Sequence, residues 1–362
     1  MTAVLILAGL VLLFAGGELL VRGASRLAAA AGISPLMVGL TVVAFATSAP
    51  ELAVTLQSSA GGRADLVIGN VIGSNISNVL LILGASALVA PLFVQQKLIR
   101  IDVPIMIGVS ALVMAIGQDG RVGPFEGLIL IVLLVAYLVL TVLISRHETK
   151  AVLREYVAVY GTNRAAAIRH WLVNVGLVVF GVGLLVLGAQ WLVEGAVTLA
   201  SWFGLSELIV GLTIVAVGTS LPEFATSVIA AARGERDIAV GNVVGSNIFN
   251  LLFVLGLTAS VSPTGVTVAP PVLAFDLPVL VGVAVACLPV FFRGHQIARW
   301  EGALFIGYYA AYVAYLFLNA THHASIDVFN VVMLWFVIPL TVVTLIVITI
   351  REVRRNGVPP VS

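Results

Sequence analysis

One stretch of the chain occurs twice, at a constant offset of 172 residues. Residues 39–84 begin GLTVVAFATSAPEL and end GNVIGSNISNVLLILG, and residues 211–256 begin GLTIVAVGTSLPEF and end GNVVGSNIFNLLFVLG. Aligned without a gap, 24 of the 46 positions are identical. Each copy sets a carboxylate, Glu51 or Glu223, directly after a proline in the middle of an apolar run. A charge taken out of water there is costly unless the fold supplies it with partners. Any fold for this chain must therefore solve one polar problem twice.

The surroundings are those of a membrane protein. The chain is 60% hydrophobic and 10% charged, whereas a soluble domain carries roughly 25% charged residues. Apolar runs predict helices near residues 2–21, 35–60, 65–92, 102–118 and 124–145. A second set follows near 171–192, 206–232, 237–262, 276–292, 300–320 and 327–350. A span needs about 20 residues, so the fold class is an all-α polytopic membrane protein with eleven spans. The first run resembles a secretory signal, but its positive charges, Arg22 and Arg26, follow the apolar stretch instead of preceding it. It reads as a retained first helix with its N-terminus outside.

Loop charges test that reading. With the N-terminus outside, sixteen of the eighteen Lys and Arg residues fall on the cytoplasmic side, and only Arg63 and Arg121 fall outside. Ten spans would strand Arg351, Arg354 and Arg355 on the wrong side. The C-terminus is therefore expected in the cytoplasm, with the chain integral to the membrane. A net charge of +1 and no clustered basic face exclude a nucleic acid as partner. The single cysteine, Cys287, forms no internal disulfide and reads as a small packing residue.

The repeat extends beyond its centre. GGELLVRGA at 16–24 aligns with GAQWLVEGA at 188–196, and IDVPIMIGV at 101–109 aligns with FDLPVLVGV at 275–283. Each unit thus holds five helices, and because five is odd the second enters the membrane from the opposite side. Four regions follow: residues 1–145, the first repeat; 146–170, a short amphipathic cytoplasmic connector; 171–320, the inverted second repeat; and 321–362, an extra helix and tail. Inverted repeats are typical of secondary transporters, which bind substrate near the midplane where the units meet.

The repeated centre has the chemistry of a cation site. Pro50 frees the carbonyl of Ala46, and Pro222 frees that of Gly218, because proline lacks the amide that would bond four residues back. Thr47 and Glu51 are four apart, as are Thr219 and Glu223, a spacing that places hydroxyl and carboxylate on one helical face. Ser74 and Asn78 repeat the spacing on the next helix, as do Ser246 and Asn250. The set is all oxygen, with no thiol or imidazole. Hard cations such as Ca²⁺ and Na⁺ take such ligands, whereas zinc and copper favour nitrogen or sulfur. Two carboxylates neutralise one divalent ion, two sodium ions or two protons, so exchange is allowed and its stoichiometry is left open. The plain alternatives are kinks at the prolines and interhelical hydrogen bonds by Ser, Thr and Asn; Asn70 and Asn242 read as helix-shaping, between close-packing glycines.

With these motifs, TSAPE with GNVIGSNISN and TSLPE with GNVVGSNIFN, the chain resembles the cation/calcium exchanger superfamily, most nearly its prokaryotic sodium/calcium exchangers. The resemblance covers residues 1 to about 320. It implies ten helices in two inverted halves around four central cation sites. Carried onto this sequence, it makes Glu51 and Glu223 the calcium ligands, assisted by the carbonyls of Thr47 and Thr219. The side chains of Ser48, Ser74, Ser220 and Ser246, with the carbonyls of Ala44 and Ala216, would form flanking sodium sites. Asn78 and Asn250 would complete the middle site. Some relatives that depend on potassium carry aspartate where this chain has Asn250, so no potassium requirement is expected. The connector, with only Glu148 and Glu155 as acids, lacks the calcium-sensing domains of animal exchangers.

The expected activity is alternating-access exchange of Ca²⁺ for Na⁺, with the first and sixth helices moving past the core, no catalysis and no cofactor beyond the transported ions. A Ca²⁺/H⁺ antiporter using the same glutamates is the alternative; a channel or an intramembrane hydrolase has less need of matched ligands in both halves. Other polar residues have simpler readings. Asp102 and Asp276, two residues before Pro104 and Pro278, read as helix N-caps, Glu18 as snorkelling to the inner interface, and His322, His323 and Asp327 as a solvated loop.

Overall fold

Backbone groups in hydrocarbon must be satisfied within their own segment, and the apolar runs form helices. The structure, a computed structural model, describes residues 2–31, 34–62, 64–160, 164–202, 216–321, 323 and 325–344. In chain order the helices are α1 (Thr2–Ala31), α2 (Pro35–Ala60), α3 (Leu66–Val89), α4 (Leu98–Asp119), α5 (Pro124–Tyr160) and α6 (Arg164–Trp202). They continue with α7 (Leu221–Ala232), α8 (Arg236–Val261), α9 (Val272–Phe292), α10 (Arg299–Ala320) and α11 (Ile326–Thr344). Ten of these are long and apolar enough to span a membrane; α7 is the short one, and the first part of the expected seventh span, 206–215, lies outside the described residues. The protein is a helical integral membrane protein.

Four two-residue strands test how many times the chain crosses. β1 (Leu92–Phe93) pairs antiparallel with β4 (Gln296–Ile297), and β2 (Arg121–Val122) pairs with β3 (Val266–Thr267). Paired loops share one face, so an even number of crossings separates β1 from β4. Five long spans lie between them, and the crossing that ends in α7 makes six. The pairing also exchanges the repeats: β1 and β3 are counterparts, as are β2 and β4, so one ladder maps onto the other. That is the two-fold relation an inverted repeat requires.

Burial grades from centre to rim. The most apolar window of α8 is 94% buried and that of α3 72%, whereas those of α10 and α11 are 6% and 0% buried. The repeated motifs thus occupy the middle, and the apolar residues of α11, such as Trp335 and Phe336, face outward. α11 is fastened to α10 by Tyr308, whose hydroxyl donates to Thr341 Oγ1 at 2.5 Å. α1 and α6 lie side by side through glycine contacts. A Cβ at Gly16 would stand 2.7 Å from the Gly181 carbonyl oxygen, and one at Gly188 2.8 Å from the Leu13 nitrogen.

Close approach also sets the centre. A Cβ at Gly245 would meet the Leu40 carbonyl oxygen at 2.7 Å and Ala44 Cβ at 2.8 Å, and one at Gly241 the Leu36 carbonyl at 2.9 Å. The glycines of GNVVG therefore let the backbone of α2 lie directly on α8. Replacing Gly245 with alanine forces α2 away, and overpacking of this kind costs about 1–3 kcal/mol. Gly245→Ala is expected to melt at a lower temperature in detergent; an unchanged melting point would contradict so close a contact.

Several local readings are corrected. The expected connector is continued helix on either side of residues 161–163: α5 has 37 residues, about 55 Å at 1.5 Å per residue, and a hydrocarbon layer spans only about 30 Å. Asp102 and Asp276 do not cap helices. Each closes a π-helical turn in right-handed conformation, and each accepts a tyrosine hydroxyl, from Tyr137 at 3.1 Å and Tyr312 at 2.8 Å. Glu18 does not simply snorkel: it pairs with Arg22 at 2.6 Å and with Arg233 at the end of α7. His322 lies outside the described residues, while the ring of His323 accepts the amide of Ser325.

Candidate functional site

Proline leaves its mark on α2 and α7. Ser48, at φ −79° and ψ 3°, breaks α2 between Thr47 and Ala49, and Ser220, at φ −87° and ψ 8°, precedes α7 in the same way. Pro50 and Pro222 sit in the first turn beyond each break, where a missing amide costs least. The break at Ser48 falls between Thr47 and Glu51. On α3 and α8 the helix switches to π-helical turns at Asn78–Leu83 and Asn250–Leu255. Single π turns of this kind are frequent at functional sites.

The breaks cross-link the halves. Ser220 Oγ donates to Glu51 Oε1 at 3.3 Å and contacts Ser74 Oγ at 3.1 Å, while Ser48 Oγ donates to Glu223 Oε1 at 3.4 Å. Each carboxylate is therefore held by a hydroxyl from the opposite repeat. Glu51 and Glu223 are both fully buried, and the ion pairs found among the described residues involve neither of them. One oxygen of each, Oε2, has no hydrogen-bond partner among the described residues.

Further buried polar atoms have no hydrogen-bond partner among the described residues: Asn78 Oδ1, both side-chain polar atoms of Asn250, and Ser246 Oγ. Asn78 Nδ2 donates across the repeat boundary to Asn247 Oδ1 at 3.2 Å. The Thr47 and Thr219 hydroxyls turn to asparagines, Asn242 and Asn70, at 3.1 Å each. The Ala44 carbonyl accepts the Ser48 amide at 3.0 Å and lies 3.4 Å from the Thr47 hydroxyl. At the second break the Ser220 amide bonds Val217 instead, at 3.1 Å, leaving the Ala216 carbonyl free of that bond. Buried polar groups are normally satisfied. Orphaned carboxylate and amide oxygens on four neighbouring helices, without imidazole or thiol, suit a hard cation.

Asn70 and Asn242, read from the sequence as helix-shaping, make specific bonds, and Asn247, Thr55 and Ser227 join them without having been singled out in the sequence. Asn70 bonds Thr55 at 3.1 Å and Asn242 bonds Ser227 at 2.9 Å. All but Asn247 were visible as counterparts at the same offset of 172, and Asn247 pairs in that way with Asn75.

The profile of the sodium/calcium exchanger protein family matches residues 1–143 and 173–318. The chain belongs to that family. This exchanger is 35% identical to the inner membrane protein YrbG of Escherichia coli over 317 residues, which cover 86% of this chain and 96% of YrbG. It is 31% identical over 344 residues to the sodium/calcium exchanger MaX1 of Methanosarcina acetivorans, covering 86% and 97% of the two chains. Among solved structures, the sodium-calcium exchanger NCX_Mj superimposes with a TM-score of 0.74 at 29% identity, over 86% of this exchanger and 98% of NCX_Mj. The family match ends at residue 318, before α11, which lies outside the internal symmetry.

Proposed function

We propose that this exchanger carries Ca²⁺ in one direction and Na⁺ in the other by alternating access, with Glu51 and Glu223 as the shared central ligands. The observation that carries the reading is the pair of buried carboxylates, each held through Oε1 by the opposite repeat and each with Oε2 uncommitted. Two such groups neutralise one Ca²⁺. Ser48, Ser74, Ser220 and Ser246, with the carbonyls of Ala44, Ala216, Thr47 and Thr219, supply neutral oxygens on either side, and Asn78 and Asn250 supply the middle. Competition of the ions for the same glutamates couples their movements. Ion carriage makes and breaks no covalent bond, so the glutamates act as ligands and not as a catalytic acid and base. The N-terminus lies outside and the cytoplasmic face carries the β1–β4 ladder, the orientation that the Lys and Arg distribution favours.

The test is ⁴⁵Ca²⁺ uptake into proteoliposomes loaded with Na⁺ and diluted into Na⁺-free buffer, beside choline-loaded and acid-loaded vesicles. Uptake from Na⁺-loaded vesicles alone supports the proposal. Uptake driven only by a pH gradient would keep the site and make the counter-ion a proton.

Asparagine at 250 gives a further expectation. The sodium/potassium/calcium exchanger Nckx30C of Drosophila melanogaster is matched over 116 residues at 34% identity, 32% of this chain. A neutral amide in place of a carboxylate leaves the middle of the cage with one charge fewer for an additional cation. Uptake is expected to be the same in K⁺ and in choline media; stimulation by K⁺ would contradict this.

A further inference from the structure

Asn70 and Asn242 occupy equivalent junctions that the ion-binding set does not use. Asn70 Nδ2 donates to Thr55 Oγ1 at 3.1 Å and lies 3.5 Å from the Glu51 carbonyl oxygen, while its Oδ1 accepts the Thr219 hydroxyl at 3.1 Å. Asn242 repeats the arrangement with Ser227 at 2.9 Å, the Glu223 carbonyl at 3.5 Å and Thr47 at 3.1 Å. Each carboxamide thus spends three of its four hydrogen-bonding positions, two on its own repeat and one on the other. The residue type matters. Aspartate would keep the acceptor but lose the donor and add a buried charge, and leucine would remove the bond to a hydroxyl of each repeat.

We propose that Asn70 and Asn242 are positioning residues that set the width of the cation cage. Each ties the main chain of one glutamate to the hydroxyl-bearing break of the opposite repeat. The separation of the two carboxylates, and with it the ionic radius accepted, is thereby fixed by side chains that do not hold the ion. Close packing reinforces the clamp at Asn242, because Gly241 and Gly245 on either side admit the backbone of α2. The inference rests on the reading that the cage binds the transported cation.

The test compares Ca²⁺ and Sr²⁺ as substrates of Na⁺-driven uptake by the full-length protein in proteoliposomes. Thr47→Val and Thr219→Val each remove one cross-repeat hydrogen bond with little change of shape. Each is expected to raise the Ca²⁺ KM about threefold to tenfold, the range of one buried hydrogen bond, and to shift the Ca²⁺-to-Sr²⁺ preference, with Vmax little changed. Asn242→Leu should have a larger effect, and adding Thr47→Val to it should do no further harm because both break the same link. A role in stability alone would lower Vmax and the melting temperature without moving the preference. Unchanged KM and preference in both threonine variants, or strict additivity in the double variant, would overturn the proposal. A Glu51→Gln control separates the two levels: if it abolishes uptake while the threonine variants behave as wild type, the clamp alone is wrong, and if it transports normally, the cage reading falls first.

Discussion

Glu51→Gln and Glu223→Gln are each expected to abolish calcium exchange while leaving the protein folded. Glutamine keeps the shape of the side chain and an oxygen for the hydroxyl that now meets Oε1, from Ser220 in one case and Ser48 in the other. What it removes is half the charge that balances a divalent ion in a site closed to water. Desolvated charge contacts of this kind are worth about 2–5 kcal/mol, so affinity should fall about 30-fold to several thousand-fold. The two variants should be affected alike, because the geometry around them is repeated nearly bond for bond. Stability without ions should move the other way: removing one of two buried, unpaired carboxylates relieves a desolvation penalty, so the ion-free variant should melt no lower than wild type. Calcium should raise the melting temperature of wild type, which it stabilises by binding the folded state, and leave the variants unmoved. Wild-type uptake by either variant would remove the central claim.

Much of this architecture was legible because membrane and symmetry both constrain it. Span length and the apolar runs placed the helices to within a few residues at the centre, and the odd number of helices per repeat implied the inversion that the β1–β4 and β2–β3 ladders display. The glutamates stood out because hydrocarbon tolerates no idle charge. What the sequence did not display was conformation inside the helices. The break at Ser48 and the π turns at Asn78 and Asn250 depart from a regular 3.6-residue count, and the Thr47 hydroxyl reaches Asn242 of the opposite repeat. Asp102 and Asp276 were mistaken for caps for the same reason: a proline two residues on signals a helix start, but the preceding residues continue the helix as a π turn, and Tyr137 and Tyr312 lie 35 and 36 residues away. Long-range partners of that kind leave no local pattern. Asn70 and Asn242 were legible only as a duplicated pair, and their bonds across the repeats emerge once α8 meets α2 and α3 meets the break before α7.

Reversing the charge of Glu18 is expected to slow exchange about tenfold, and reversing Arg233 in the same chain to restore most of the rate. Glu18 stands on α1, which packs along α6, and it reaches Arg233 at the end of α7 as well as Arg22 one turn away. This bridge joins the outer helix pair to the core that carries the glutamates. It is absent by sequence from the other half, where the counterparts of Glu18 and Arg233 at the offset of 172 are Gln190 and Gly61. The cation cage is therefore nearly symmetric while the tie between core and outer pair is one-sided. The native pair is worth only about 1 kcal/mol, since Arg233 is 38% exposed and solvent screens it. Arginine at position 18 does more than delete it: three guanidinium groups would then crowd one helix end, and like charges brought together cost more than a lost attraction gains. Under the proposed alternating access, with α1 and α6 moving against the core, the repulsion bears on the rate of exchange and hardly on calcium affinity. Uptake rates of Glu18→Arg, Arg233→Glu and the double variant in proteoliposomes decide it. Recovery in the double variant identifies the bridge as part of the transport cycle, whereas a double variant as slow as Glu18→Arg would show that Glu18 acts through something other than Arg233.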